Sequence, residues 1–243
     1  VSVPRLPGGV GVSHLRVYDW VGPDGLRGGT PHLHTACTEA YLVIGGSGAV
    51  QTLSADGFAE TPLERGTVAW FSPGTVHRLV NHGELELFVV MANAGLPEAG
   101  DMVITFDDAT LADPATYAAA AELPEGERTD AGTGGAARRR RDAAVEGFAG
   151  WRRLVEEEGP AGLATLHRRA AALVGPSAPG WSEVVRDGPG AAAAAAAEQV
   201  VALADGAPGA LEVLASAAVT HRVPPGAGRR MGCCGTLGVV LDR

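Results

Sequence analysis

Over roughly the first hundred residues, apolar and polar positions alternate in short runs broken by glycine and proline. In residues 14–20, Leu15 and Val17 fall on one face of a strand and Arg16, Tyr18 and Trp20 on the other. Residues 40–44 and 49–54 flank Gly45-Gly46-Ser47-Gly48 and predict a hairpin around that glycine run. Residues 67–71, 78–80 and 85–91 add further strand-like segments. About eight short strands with regular turns predict a mainly β fold, a small β-barrel or jelly roll whose ligands sit at the mouth or inside. Residues 1–13, rich in Gly and Pro, predict an arm or edge segment.

After Asn93 the period lengthens. Residues 101–106 are one more candidate strand. Asp113-Pro114 predicts a helix start, with Asp113 as N-cap and Pro114 at the first position. A polar, glycine-rich linker over residues 125–137 leads into residues 138–158. There Val145, Phe148, Trp151 and Val155 recur at three- and four-residue steps, the spacing of an amphipathic helix. Leu163, Leu166, Ala170 and Leu173 repeat the pattern, and residues 191–204 predict a third helix from alanine propensity. Residues 211–219 and 236–241 look β-like again. The expected division is a β-barrel metal-binding domain over residues 1–108 and a mainly helical extension with a β-like tail over residues 109–243.

Candidate chemistry is concentrated between Pro31 and Asn81. His32 and His34 share one face of a strand because side chains alternate with period two. Glu39 is out of phase with them, so a turn or bulge within residues 35–38 must re-aim the chain. His77 arrives from a distant strand, delivered by the Pro73-Gly74 turn. A lone histidine on a strand is ordinarily a core or surface residue. Three imidazoles and a carboxylate together are a ligand set for a divalent transition metal that stays open to a further ligand.

These residues resemble the two motifs of the cupin superfamily. His32, His34, Glu39 and Gly46 fall at the intervals of the first motif, although position 26 is Leu where that motif opens with glycine. Gly66, Gly74, His77 and Asn81 match the second, with its proline displaced from Ser72 to Pro73. The resemblance covers about residues 10–95. It implies a metal-binding cupin barrel followed by an extension in which no motif is recognised.

Composition narrows the partners. All 19 basic residues are Arg and the net charge is −9, which argues against nucleic acid as the main partner. No apolar run is long enough to cross a bilayer, and the expected setting is cytoplasmic, without membrane contact. The three cysteines make no disulfide framework, and Cys233-Cys234 predicts a tight buried turn. Residues 138–141, four arginines at a helix start, predict a solvated face.

The metal suited to His32, His34, Glu39 and His77 is Fe, Mn, Ni or Zn. Glu39 could also act as a catalytic base if loosely bound. Arg16, Tyr18, Trp20, Tyr41, Gln51 and Trp70 are the candidates for contacts to a small-molecule substrate. The leading expectation is an iron-type dioxygenase acting on an enolisable or aromatic compound. A sugar or sugar-phosphate isomerase or epimerase is the second reading, and a non-catalytic small-molecule-binding or sensory module the third. Small cupins resemble one another in pairing through sheet edges, so the expected assembly is a homodimer.

Overall fold

The computed structural model describes residues 6–241. Its nine strands form one antiparallel sheet: β1 Gly11–Val17, β2 His32–His34, β3 Glu39–Ser54, β4 Gly57–Glu64, β5 Val68–Phe71, β6 Val76–Met91, β7 Met102–Ile104, β8 Arg230–Met231 and β9 Gly235–Leu241. The main path is β4-β3-β6-β1-β9-β8; β2 lies between β6 and β7, and β5 lies on β3. Of the predicted arm, residues 1–5 lie outside the described residues, and Pro7–Gly9 is a turn leading into β1.

The predicted glycine-run hairpin is not a hairpin. β3 runs through Gly45–Gly48 as one strand of 16 residues, with its register against β6 shifting between Val43 and Gly48. Gly46 has φ +66°, and a Cβ there would lie 2.1 Å from the Glu84 carbonyl oxygen. A Cβ at Gly48 would lie 2.2 Å from the Val80 carbonyl oxygen. These glycines therefore permit bulges and close strand approach, not reversal. The chain turns instead at Ala55-Asp56, where Ser54 pairs with Gly57.

Beyond the barrel strands lie α1 Asp108–Ala112, α2 Pro114–Ala121, α3 Gly135–Glu158, α4 Pro160–Val174, α5 Ala178–Val185, α6 Ala191–Ala204 and α7 Pro208–Ala215. The Asp113 carboxylate accepts from Thr116 N at 3.1 Å, capping α2 as its sequence predicts. Helix α5 lacks a long enough apolar period to announce itself, yet its Trp181 is buried with Cys37 and Leu96. The β-like reading of residues 211–219 is corrected by α7. Leu211, Val213 and Leu214 remain exposed there, and an apolar run this short carries no decisive period. Residues 236–241 do return to the sheet: β9 pairs with β1, so sheet residues come from well beyond residue 108. No helix among the described residues is long and apolar enough to cross a membrane.

One core joins barrel and extension. Leu15, Tyr41, Val50, Leu79 and Leu87 belong to the same buried cluster as Phe148, Trp151 and Val155 of α3 and Leu163, Leu166 and Ala170 of α4. Each buried Val, Leu or Phe among them contributes about 1.5–3 kcal/mol by leaving water. The four-arginine run is not a solvated face throughout. Arg141 is fully buried, donating to the carbonyls of Trp20, Val21 and Gly28, while Arg140 donates to those of Ala121 and Gly232. These carbonyls lie outside the named strands, and guanidinium groups supply donors to them.

Candidate metal centre

Each ligand-type side chain is aimed by an identifiable local cause. His32 and His34 flank Leu33 on β2, and all three are buried, because both faces of this short strand are covered. The bend after His34 is held by one carboxylate. Asp101, fully buried, accepts from Thr35 N at 3.0 Å, Thr35 Oγ1 at 2.8 Å, Ala36 N at 2.6 Å and Cys37 N at 3.2 Å. This bend puts Glu39 at the start of β3 facing inward with Tyr41 and Val43, as the out-of-phase spacing requires. His77 follows a turn in which Thr75 N donates to Ser72 O and Gly74 takes φ +87°. The His77 ring stacks on Phe71, with centroids 4.7 Å apart and planes 5° from parallel.

One ligand atom each from His32, His34, Glu39 and His77 lies within 4.8 Å of all the others, and all four residues are buried. The ring tautomers follow from the acceptors behind them. His32 Nδ1 lies 2.9 Å from Thr30 O, His77 Nδ1 3.0 Å from Thr75 O, and His34 Nδ1 3.0 Å from Asp101 Oδ2. A carbonyl or carboxylate only accepts, so each Nδ1 is the donor and each neutral ring turns an Nε2 lone pair inward. His77 Nε2 lies 3.1 Å from His32 Nε2 and 2.9 Å from Glu39 Oε2, and His34 Nε2 is 3.3 Å from the same oxygen. Glu39 Oε2 is buried without a properly directed hydrogen bond. With all three rings neutral, four acceptors converge on one point, and three nitrogens and an oxygen fit a divalent transition ion.

The electrostatics have the same sense. Burial pushes Glu39 up, but His77 and His34 outweigh it and hold the carboxyl well below its usual range. Burial pushes His34 down, yet the carboxylates of Asp101 and Glu39 raise it to about 9. Burial and the neighbouring His77 keep His32 well below an ordinary imidazole.

Beside it is a cavity of about 110 Å³ whose wall includes Leu15, Tyr41, Val89, Met102, Cys234 and Leu237. Ser13, Met91, Pro97 and Glu98 line both this chamber and a larger groove of about 460 Å³ that also touches Asn93 and Arg230. Of the six predicted substrate contacts, the structure brings Tyr41 alone to the chamber; its hydroxyl is buried without a hydrogen bond. On β1 Leu15 faces inward and Arg16 pairs outside with Glu86 at 3.0 Å, and Tyr18 and Trp20 lie past the end of the strand. Tyr18 stacks on Trp20 and donates to Gly232 O at 3.1 Å. Gln51 donates to Glu60 on β4 at 2.9 Å. Trp70 is 71% exposed, because its neighbour Phe71 takes the inward position on β5.

Asp101 was not legible as a site residue, whereas the segment with Cys233 and Cys234 is readable from sequence either as a substrate-facing loop or, by preference, as a tight buried turn. Cys233 and Cys234 are both buried in the chamber wall, with Cys234 Sγ 4.0 Å from His32 Nδ1. Gly232 N donates to Gly235 O around them, the tight turn that the adjacent pair predicts.

Residues 21–92 match the family described as cupin domain. No curated protein matches the chain. Among solved structures, it is similar to an uncharacterized conserved protein with a double-stranded β-helix domain from Klebsiella pneumoniae, at 22% identity over 39% of this chain and 71% of that one, TM-score 0.29. It is also similar to Pac13, a nucleoside dehydratase, at 17% identity over 41% and 71% of the two chains, TM-score 0.31. CapF with the inhibitor 3-isopropenyl-tropolone is a third, at 18% identity over 43% of this chain and 29% of that one, TM-score 0.31. At such identities no activity passes from one chain to another.

Proposed function

The chain belongs to the cupin superfamily through residues 21–92, and from that premise we propose a metal-dependent enzyme acting on a small organic substrate by dioxygenase-type chemistry. The observation that carries the reading is the convergence of three Nε2 lone pairs and Glu39 Oε2, enforced by three Nδ1 donors anchored behind them. His32, His34, Glu39 and His77 would hold the ion. Iron(II), manganese(II) and nickel(II) suit this mixed nitrogen and oxygen set, as does zinc. When bound, it would supply Lewis acidity and open positions for an enolisable substrate and dioxygen.

The chain's own residues do the rest. Leu15, Val89, Met102 and Leu237 exclude water from the chamber and favour a substrate with an apolar body. Tyr41, whose hydroxyl has no hydrogen bond, is available to donate to a substrate oxygen. No arginine lines the chamber; Arg230 lines only the outer groove. A sugar phosphate would need a cation at its phosphate, so the chamber supports the oxidative reading over the isomerase.

Oxygen uptake by metal-replete protein across a panel of enolisable and aromatic compounds tests this. Uptake with stoichiometric loss of one compound supports it. No uptake, combined with solvent-deuterium exchange into sugars, would transfer the site to isomerase chemistry.

A further inference from the structure

Five side chains of the helical extension donate to backbone carbonyls of the barrel, each on a segment that carries a cluster residue or bounds the chamber; one is Trp181, whose Nε1 reaches Ala99 O at 3.0 Å, beside Glu98. Arg141 reaches Gly28 O at 3.2 Å, four residues before His32. Arg140 reaches Gly232 O at 2.8 Å, beside Cys233. Trp151 Nε1 reaches Phe106 O at 2.7 Å, just past β7. His167 Nε2 reaches Gly74 O at 2.8 Å, three residues before His77.

The last contact leads directly to the centre. Gly74 N donates to His34 O at 2.8 Å, and Thr75, next in the chain, offers the carbonyl that receives His77 Nδ1–H at 3.0 Å. One short turn is thus tied to His167, to the His34 backbone and to the His77 ring. Its outer residues Ser72 and Pro73 are exposed, so packing does not hold it. His167 lies one helical turn from Leu163 on the face of α4 that also buries Leu166 and Ala170, which fixes its reach. A donor in this apolar stripe contributes little to the core, but it can set where the turn sits.

We propose that the extension is the frame of the metal-ligand cluster and that His167 is its positioning residue, fixing His77 through the Ser72–Thr75 turn. The inference rests on the metal reading above. Outer partners that orient a ligating imidazole are worth about 10–100-fold in metal affinity.

The test compares wild type, His167→Leu and His167→Gln, with Co²⁺ as probe, following its visible absorption and Kd. Gln keeps an N–H within reach of Gly74 O; Leu keeps only the bulk. The expected result is Co²⁺ binding weakened about tenfold and an altered visible spectrum in His167→Leu, with both largely restored in His167→Gln. Equal affinity in all three proteins overturns the proposal, and so does a loss that Gln does not restore. Wild type that binds no Co²⁺ and no other divalent ion refutes the metal reading instead. The His77 ring-proton resonances then decide the positioning role: displaced in His167→Leu and restored in His167→Gln supports it, unmoved in both overturns it.

Discussion

Asp101→Asn probes the centre from behind. The carboxylate is fully buried and receives the His34 ring, three backbone N–H groups and the Thr35 hydroxyl. If the amide oxygen takes the place of Oδ1, it keeps Thr35 and Ala36. The amide nitrogen then replaces Oδ2 and faces Cys37 N–H and His34 Nδ1–H, which are both donors. Two buried donors left unpaired cost about 1–3 kcal/mol each, so roughly 4 kcal/mol in all. For a chain of this size that lowers Tm by roughly 10 °C. His34 can escape by moving its proton to Nε2, so that Nδ1 accepts from the amide, but the Nε2–H then points at Glu39 and blocks a metal. The variant therefore loses stability, metal affinity by about 10–100-fold, or both. Urea unfolding of the metal-free protein and Co²⁺ titration measure the two quantities. A variant within ~0.5 kcal/mol of wild type that also binds Co²⁺ equally well refutes the reasoning.

Three further outcomes follow from the same contacts. His77→Ala should abolish metal binding yet leave a folded barrel; a wild-type Kd by calorimetry would show that His77 is not a ligand. Arg141→Met should cost about 3 kcal/mol in urea unfolding, because it leaves the Trp20, Val21 and Gly28 carbonyls without their donor, and a change below ~1 kcal/mol would argue against the clamp. Burial pushes Asp24 up, but its hydrogen bonds and ion pair with Arg78 hold its pKa below the usual 3.8. Its stabilising contribution is therefore present above about pH 4 and lost as pH falls through the folded-state value. Asp24→Asn should flatten the acid limb of the stability curve below about pH 4, and an unchanged slope there would count against the pair.

By itself the sequence determined the ligand-type residues, the β character of the first hundred residues and the principal helices. Those features are local: His32 and His34 share a face through strand period, and α3 and α4 are legible through apolar steps of three and four. The requirement for a re-aiming bend before Glu39 was also legible, because phase is a property of the chain alone. What makes that bend was not. Asp101 lies 66 residues beyond Thr35, and nothing in its neighbours marks it as the acceptor for that segment.

Only the tertiary structure decided which face of β1 looks inward. The alternation of Leu15 with Arg16 reads the same either way, and the choice rests on β1 pairing with β6 and β9. The glycine run misled because a bulge and a turn ask for the same residue, and the close approach of β6 is what selects the bulge. Arg141 reads as a surface charge until the unpaired carbonyls of Trp20, Val21 and Gly28 are brought against it. Periodicity records where a side chain points relative to its own backbone. The partner it meets there is set by chain segments many residues away, and that information exists only once the chain has folded.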